Sequence, residues 1–465
     1  MGVLPARFLA LVSSLGIAIS AACAASPAVT LDHAALELGF ARTVSGDRWL
    51  ADFDRGWWRS AGAEATAQAG LRLERGPWRG RLVWRAALGR DLPARGRILA
   101  GWIGLSGRHW SVRAGRASPL WSPLGAALLI SPHARPLDLL QASFVSPAFR
   151  RGIGRWEAET FVGRLDDPVR TVPNPLLWGM RASWVPVEGV RIEALRSIML
   201  GGEGRGERLQ PRDLWDIFLG RGETSTAEAP GPENFPAAET DQKFAWQITL
   251  RAPAPLSRAL GLHDLEALWT YAGEDRFRGI APTAPARAYA LRIQPGPRLA
   301  LMAAYVNLVD DGNLWYRHKI YLSGYTYRGV VLGHPAGGDA RSLRLSLLAA
   351  PGSLRLRLEA VREERGYRFA DRGMPAGGFW SGCASASVPV AALGLPGGPF
   401  TPSGGPGRTR WEKVRLRASL GAADPWGADR ARERLAEVCA TLGIEWTAEP
   451  VHAEISREEA WGDTY

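Results

Sequence analysis

A short run near residue 354 alternates without a break between aliphatic and charged side chains. One parity is aliphatic and the other is charged: Leu354, Leu356, Leu358 and Ala360 against Arg355, Arg357 and Glu359. A period of two is typical of a β-strand whose two faces meet different environments. Fragments of the same pattern begin at Arg81, His109, Trp178, Phe244, Ala286, Leu343 and Lys413. Turn-forming stretches such as "VDDGN" and "APGS" separate them, so the sequence predicts a meander of many short strands.

The first 24 residues have the composition of a signal peptide. Arg7 precedes an apolar run at residues 8–19, and "ACA" at residues 22–24 is an A-x-A cleavage site. We therefore expect an exported protein whose mature chain begins near Ala25. A lipoprotein cleavage at the cysteine of this site is a minor alternative. No later stretch of eighteen apolar residues follows, so no transmembrane helix is predicted.

The net charge of +11 is carried almost wholly by arginine, because only Lys243, Lys319 and Lys413 among the 57 basic residues are lysine. In an exported protein this balance indicates an acidic polymer or lipid phosphate as a partner, and an arginine-rich coding bias is the competing explanation. Nucleic acid is not expected, because the arginines are interleaved along strand-like segments and form no basic arm or helix.

Arginine opposite leucine on many strands of an exported chain predicts an all-β fold, a large closed antiparallel transmembrane β-barrel. Lipid would meet the apolar parity, a wet lumen would accept the arginines, and closure would remove unpaired strand edges. The 20 tryptophans and nine tyrosines would form the interfacial girdles. A secreted β-sandwich or β-solenoid is the alternative, although a solenoid would show repeats.

Individual segments are assigned within this barrel. Residues 318–334 are predicted to be a strand between lipid and lumen, with Tyr321, Tyr325 and Tyr327 on one parity. Residues 206–241 and the stretch from Leu395 are predicted to be loops. Helical periodicity is confined to residues 427–443.

Several motifs resemble, in order, those of the Wzi family of capsule-assembly proteins. "GRASPLWSP" from Gly115 and "LLISPHARPL" from Leu128 match its signature, with Pro132 and His133 where two asparagines are usual. "WEAETFVGRL", "LRSIMLGGEGR", "LWDIFLGRGE" and "YAGED" follow, and the stretch from His318 to Asp339 ends the series. The resemblance covers roughly residues 75–345. Its structural motif residues are Gly115, Arg116, Trp121, Pro123, Ser131, Ala134, Pro136, Gly324, Gly329, Gly333 and His334.

The resemblance implies a non-enzymatic barrel of about 18 strands that retains capsular polysaccharide or exopolysaccharide at the bacterial outer membrane, in the manner of a lectin. It also implies a helical plug on the periplasmic side. Residues 25–60 are short for such a plug, so we expect a reduced one there and the barrel over residues 61–465. The terminal "EEAWGDTY" departs from the usual closing strand.

Polysaccharide recognition calls for aromatic faces that stack on sugars and guanidinium groups that hold carboxylates. The motifs supply both, and the candidate binding residues are His133, Arg135, His318, Tyr321, Tyr325 and Arg328. The competing interpretation is that these residues shape turns and girdles. The expected partners are a polysaccharide, predicted to be anionic, and outer-membrane lipid.

No catalytic, metal or cofactor motif accompanies these residues. His263 and Glu274 lie in no HExxH, GxSxG or calcium-loop pattern, and Cys383 and Cys439 have no zinc-ligand spacing. The two cysteines are expected either to form a disulfide or to be buried thiols. A porin or polysaccharide-export channel and a secreted polysaccharide-modifying enzyme are the alternative functions.

Overall fold

The structure is a computed structural model of the 465-residue chain. It describes residues 29–42, 62–89, 95–119, 121–122, 124–146, 154–205, 209–220, 239–274, 277–278, 281–282, 285–309, 315–366, 377–389, 414–426 and 437–447. The predicted signal peptide lies outside these residues, as does Pro123 of the motif series.

Eighteen long strands form one sheet. In chain order they are β1 Val29–Arg42, β2 Gly62–Arg75, β3 Trp78–Gly89, β4 Arg95–Ser106, β5 Trp110–Ala117, β6 Leu137–Val145, β7 Arg155–Arg164, β8 Leu176–Val187, β9 Val190–Leu200, β10 Asp241–Arg251, β11 Asp264–Glu274, β12 Ala286–Gly296, β13 Leu299–Asn307, β14 Ala340–Ala349, β15 Arg355–Arg365, β16 Gly377–Pro389, β17 Val414–Trp426 and β18 Glu437–Thr447. Helices α1 Pro211–Phe218 and α2 Ala254–Ala259 are short, as is the 3₁₀ turn Leu124–Ala126.

The sheet closes on itself. Each strand pairs antiparallel with the next, and β18 pairs with β1 from His33 opposite Thr447 to Arg42 opposite Val438. Closure satisfies the backbone groups that an open edge would leave without partners in lipid. The predicted fold class, a closed antiparallel barrel of about 18 strands, is confirmed. None of the described helices is long and apolar enough to cross a membrane.

The wall of the barrel separates apolar from polar side chains by parity. Along β12, Ala290 and Arg292 are buried on the inner face, whereas Tyr289 and Leu291 are exposed on the outer face. On β15, Leu358 points outwards and Glu359 pairs on the inner side with Arg344 of β14 at 3.0 Å. The lumen therefore holds arginines beside acidic partners, as the alternation predicted.

The two ends of the barrel differ in the length of their connections. Two residues join β2 to β3, β8 to β9 and β12 to β13 at one end, which we call the short-turn end. At the opposite, long-loop end, residues 118–136, 201–240 and 308–339 join neighbouring strands. Outer-membrane barrels carry their long loops outside the cell and short turns in the periplasm. The connection 390–413 is a long one at the short-turn end and lies outside the described residues.

Two long connections fold back into the lumen. The first inner loop is residues 118–136, and the second inner loop is residues 315–339. They are joined to each other by hydrogen bonds from the Ser131 amide to the Leu332 carbonyl (2.9 Å) and from the Tyr316 hydroxyl to the Leu128 carbonyl (2.7 Å). Their apolar side chains share one core with inward-facing residues of the wall, among them Phe161, Ala288 and Ala304.

The predicted spanning strand at residues 318–334 is wrong, because this stretch forms most of the second inner loop. Only the two-residue strands Thr326–Tyr327 and Val330–Val331 occur there. Tyr321 and Tyr325 are completely buried. Apolar and aromatic residues stand on both parities because protein, and neither lipid nor water, surrounds most of the segment.

The chain termini also differ from the sequence expectations. The barrel was expected from residue 61, but β1 lies within residues 25–60, where a reduced plug was expected. The rest of that segment is outside the described residues. Residues 437–443 of the predicted helix belong to β18. Apolar and polar residues alternate only weakly in "EVCATLGIEWT". The helix-forming residues before this stretch therefore led to the prediction of a helix.

The two cysteines are too far apart for a disulfide. Cys383 of β16 and Cys439 of β18 both stand opposite Gly421 of β17. They are two strand spacings apart, about 10 Å, whereas disulfides need Cα atoms within about 7 Å. Cys383 is exposed, so the expectation of two buried thiols is wrong for that residue.

Candidate functional site

The second inner loop is fixed to the wall through a buried lysine. The Lys243 ammonium on β10 lies 2.5 Å from Asp241 and 3.0 Å from Glu274, and all three side chains are buried. The same ammonium stands 4.6 Å from the centre of the Tyr325 ring. The Tyr316 amide donates to Glu274 at 2.9 Å. The Tyr316 amide and the Tyr325 ring of the inner loop therefore stabilise the buried charges of Lys243 and Glu274, which the wall alone would leave with fewer partners.

Tyrosine hydroxyls add further attachments. Tyr325 donates to the Ser197 hydroxyl at 2.8 Å, and Tyr321 donates to the Gly201 carbonyl at 3.0 Å. Burial raises the pKa of both tyrosines, so both keep the protons that these hydrogen bonds use. Tyr321 and Tyr325 hold the loop in place and present no free ring face to a polymer.

The histidines of the two inner loops are neutral interior groups. Burial, with Arg365 and Arg344 nearby, lowers the pKa of His133 to about 4. Burial and the same two arginines lower the pKa of His334 to about 3. The Nδ1 atoms of His318 and His334 accept hydrogen bonds from the amides of Ile320 and Ala336, each at 3.3 Å. Four of the six predicted binding residues, namely His133, His318, Tyr321 and Tyr325, are thus buried in the interior.

The other two predicted residues, Arg135 and Arg328, lie together at the long-loop end. Arg97 at the start of β4 stands within electrostatic range of both, and also of Arg116 at the end of β5. We call these four residues the arginine cluster: Arg97, Arg116, Arg135 and Arg328. The candidate site therefore combines two strands of the wall with both inner loops.

Arg328 is presented at the tip of a tight hairpin. Tyr327 pairs with Val330, and the two residues between them have positive φ, 49° at Arg328 and 76° at Gly329. Two positive φ angles define a type I′ turn, which explains the glycine at 329. The Arg328 guanidinium stands 5.5 Å from the Tyr327 ring centre and donates to the Asp166 carboxylate at 2.9 Å. The Arg328 amide donates to Asp167 at 2.8 Å.

Arg116 and Arg135 have different partners within the cluster. Arg116 forms a two-point ion pair with Asp138, which stands opposite it on β6. The Arg135 side chain is half-buried, and its Nε atom is buried without a hydrogen-bond partner among the described residues. Burial and the neighbouring charge of Arg328 lower the pKa of Arg135. An anion bound at this position would compensate the positive charge of Arg135.

Sequence reasoning missed part of this site. Arg97 and the acidic partners Asp138, Asp166 and Asp167 were not singled out, and Arg116 was assigned only a structural role. The sequence contained a signal for the pairing of Arg116 with Asp138, because the two residues lie on consecutive strands on either side of one loop. The proximity of Arg97 to Arg135 could not be predicted from the sequence, because it depends on the inward path of residues 118–136.

Several of the remaining motif residues pack inside the barrel. Trp121 donates to Glu159 at 2.8 Å, and Ser131 and Ala134 are buried in the first inner loop. A Cβ atom at Gly333 would stand 2.5 Å from the Leu128 carbonyl oxygen, so glycine is required where the two inner loops touch.

The inner wall carries acidic groups beside arginines. Arg292 bonds to Glu266 at 3.0 Å and to Asp264, and Arg181 bonds to Glu193 at 2.8 Å. Among the described residues no three His, Cys, Asp or Glu side chains are grouped as metal ligands.

The chain is similar to a known protein family and to one curated relative. The family model described as capsule assembly protein Wzi matches residues 41–247. A Klebsiella pneumoniae protein, described as an uncharacterized 55.8 kDa protein in the cps region, is 28% identical over 145 residues. That match covers 30% of this chain and spans only 28% of the relative's length. The resemblance to the Wzi family is confirmed.

Two solved structures share the architecture. Wzi of Escherichia coli, described as a carbohydrate-binding β-barrel involved in group 1 capsule assembly, aligns with a TM-score of 0.62 at 15% identity and covers 90% of this chain and 85% of its own. OccK2 of Pseudomonas aeruginosa, solved with glucuronate, aligns with a TM-score of 0.50 at 12% identity and covers 90% and 98%. At such identities these structures support the barrel fold and nothing finer.

Proposed function

We propose that this chain, a relative of the Wzi capsule-assembly family, is a non-enzymatic outer-membrane barrel that binds capsular polysaccharide or exopolysaccharide and retains it at the cell surface. A signal peptide at residues 1–24 would export it. The observation that carries the proposal is the arginine cluster, which stands at the long-loop end where a surface polymer would arrive.

The chemistry of the cluster suits an acidic sugar. A guanidinium meets a carboxylate through two parallel N–H donors and stays charged at any physiological pH. Asp138 and Asp166 orient Arg116 and Arg328, while Arg135 offers a cation with a buried Nε atom lacking a hydrogen bond. The Tyr327 ring lies beneath Arg328 and fixes its plane. One anionic sugar would therefore bind weakly to one barrel. A polymer that repeats this sugar would be held firmly, because many barrels would bind it at once.

The other predicted residues support binding indirectly in this proposal. His133, His318, Tyr321 and Tyr325 hold the inner loops that carry Arg135 and Arg328. Their substitution should change the position of the cluster, whereas substitution of the two arginines should reduce the cluster's charge.

The test compares Arg135→Gln and Arg328→Gln, singly and together, with Arg79→Gln at the short-turn end. Loss of one charge-assisted hydrogen bond costs about 1.5–3 kcal/mol, so each cluster variant should lower affinity for an acidic capsule polymer by roughly ten-fold or more. Cell-bound and released polymer would be measured with surface expression matched. Unchanged retention in the double variant, or in a strain lacking the gene, would overturn the proposal.

A porin or polysaccharide-export channel is the second candidate, and the polar inner wall around Arg292 and Arg181 favours it. Stable conductance of the purified barrel in planar bilayers, with normal polymer retention in the deletion strain, would place this candidate first.

A further inference from the structure

The outer face of the barrel is covered by protein near the long-loop end of β9. The last four residues of this strand are buried on both parities. Ser197 and Met199 face the interior, where they contact the inner-loop core. Ile198 and Leu200 face outwards, where a spanning strand normally meets lipid, yet they form a buried cluster with Ile217 of helix α1. Helix α1 therefore lies against the outside of the wall.

An outward-facing arginine fixes this helix to the wall. Arg196 stands on the outer parity of β9, and its guanidinium donates to the carbonyl oxygens of Ile217, at 2.8 Å, and Phe218 at the end of α1. It also donates to the Gln242 side chain on β10. A cation is favourable at the C-terminus of a helix, and a lone arginine on the lipid-facing side of a barrel is costly. Arg196 and α1 therefore stabilise each other, and the helix has a defined place on the outer wall.

The rest of the helix surface is divided into an apolar and a polar sector. One turn of an α-helix takes about 3.6 residues, so side chains three and four positions apart lie on the same side. Four large apolar side chains occupy adjoining positions around α1 and are exposed: Leu214, Trp215, Phe218 and Leu219. Arg212, Asp213 and Asp216 occupy the sector beyond them, and Ile217 faces the wall. An amphipathic helix that lies in a membrane interface divides its surface between lipid and water in this way.

Stacked rings connect the outer wall to the apolar sector of the helix. Trp178 belongs to the same outer cluster as Ile217 and is the third residue of β8, at the long-loop end of that strand. Its ring centre lies 6.2 Å from that of Phe218, which in turn lies 5.6 Å from that of Trp215, and both pairs are stacked. Aromatic rings collect where the hydrocarbon of a bilayer meets the headgroups. The apolar sector of α1 is therefore continuous with the lipid-facing surface of the barrel.

We propose that α1 is an interfacial anchor, which inserts its apolar sector into the outer leaflet at the boundary between acyl chains and headgroups. Trp215 and Leu219 lie among the upper parts of the acyl chains, and Arg212 and Asp216 remain in water. The bilayer is the occupant of this surface because the wall that carries the helix already faces lipid. The anchor fixes α1 beside the barrel, so this part of the connection 201–240 does not lie over the mouth of the lumen. This contact involves lipid alone and requires no polymer.

Spin labels on the helix test which solvent each sector meets. In a Cys383→Ser, Cys439→Ser background, Trp215→Cys and Arg212→Cys each carry one nitroxide, and the full-length barrel is reconstituted in dioleoyl phosphatidylcholine vesicles. Oxygen concentrates in hydrocarbon and a nickel chelate stays in water, so paramagnetic relaxation distinguishes the two environments. We expect the label at residue 215 to respond to oxygen and to be shielded from nickel, and the label at residue 212 to show the reverse. A label at residue 215 that meets nickel as strongly as the other, or that protein shields from both reagents, would overturn the proposal.

Polar substitutions test whether lipid holds the helix in place. Trp215→Gln with Leu219→Gln removes apolar side chains from the lipid, so the amides of residues 211–219 should exchange with deuterium about ten-fold faster in the same vesicles. Glutamine forms helices about as readily as the residues that it replaces, so helix propensity does not account for such a change. Trp215→Phe with Leu219→Met keeps the sector apolar and should exchange as slowly as the wild type. Arg212→Gln is the matched control in the polar sector.

A difference between boiled and unboiled samples in gels would confirm that each variant is folded. Exchange that is unchanged in the folded double glutamine variant would overturn the proposal, whatever the polymer assay gives.

Discussion

Lys243 shows how one side chain connects the wall of the barrel to the loop inside it. It is one of three lysines in the chain, and it is buried between Asp241 and Glu274 against the Tyr325 ring. Arginine carries almost all other positive charge here. A compact ammonium fits between two carboxylates and one ring, where a planar guanidinium would need more space.

Removing this charge should be costly. Lys243→Met would leave two buried carboxylates without their cation, so we expect the free energy of unfolding to fall by roughly 3–5 kcal/mol. Arg212→Met is the control, because Arg212 is exposed and its contact with Asp213 is 3.7 Å long, which predicts a change below about 1 kcal/mol. Urea unfolding of both variants in detergent micelles measures the difference. Equal stabilities would show that the buried triad does not fix the loop.

At the scale of elements, the two inner loops mark the limit of sequence reasoning. Alternation predicted the strands of the wall, because lipid and lumen impose opposite preferences on the two faces, as at Leu358 and Glu359. The same rule failed for residues 318–334, where both parities are buried among protein atoms. Arg135 and Arg328 were found because they lie in motifs, but their approach to Arg97 and Arg116 depends on the folded path of the loops.

The inner loops should respond to acid. The pKa values of His133 and His334, about 4 and about 3, lie below the ordinary value of 6.5. The unfolded chain therefore binds protons first, so the stability present above pH 6.5 is lost as the pH falls towards 4. The loss is up to about 1.4 kcal/mol per pH unit for each histidine within that window.

The double variant His133→Asn, His334→Asn isolates this effect, because an asparagine oxygen can accept the hydrogen bond that His334 Nδ1 accepts from Ala336. Unfolding by urea at pH 7, 5.5 and 4.5 should become less dependent on pH in the variant than in the wild type. An identical pH dependence in both proteins would mean that carboxylates alone, and not these histidines, set the response to acid.

At the scale of the whole molecule, closure makes the long-loop end a rigid platform. β4, β5 and both inner loops supply one arginine each to the cluster, and none of these elements is adjacent in sequence to all the others. The wall fixes Arg97 and Arg116, and the loops attached to it fix Arg135 and Arg328.

Closure itself depends on the pairing of β18 with β1, which extends over ten residue pairs from His33–Thr447 to Arg42–Val438. A closed barrel keeps its hydrogen bonds in mild detergent and unfolds only on heating, so boiled and unboiled wild-type samples should migrate differently in gels. Deleting residues 437–447 removes the closing strand, exposes the edges of β1 and β17 to lipid, and should abolish the difference. Shortening the connection at residues 397–407, which the sequence predicts to be a loop, removes the same number of residues and should leave the difference intact. If the strand deletion still shows the heat-dependent shift, the barrel does not close through β18.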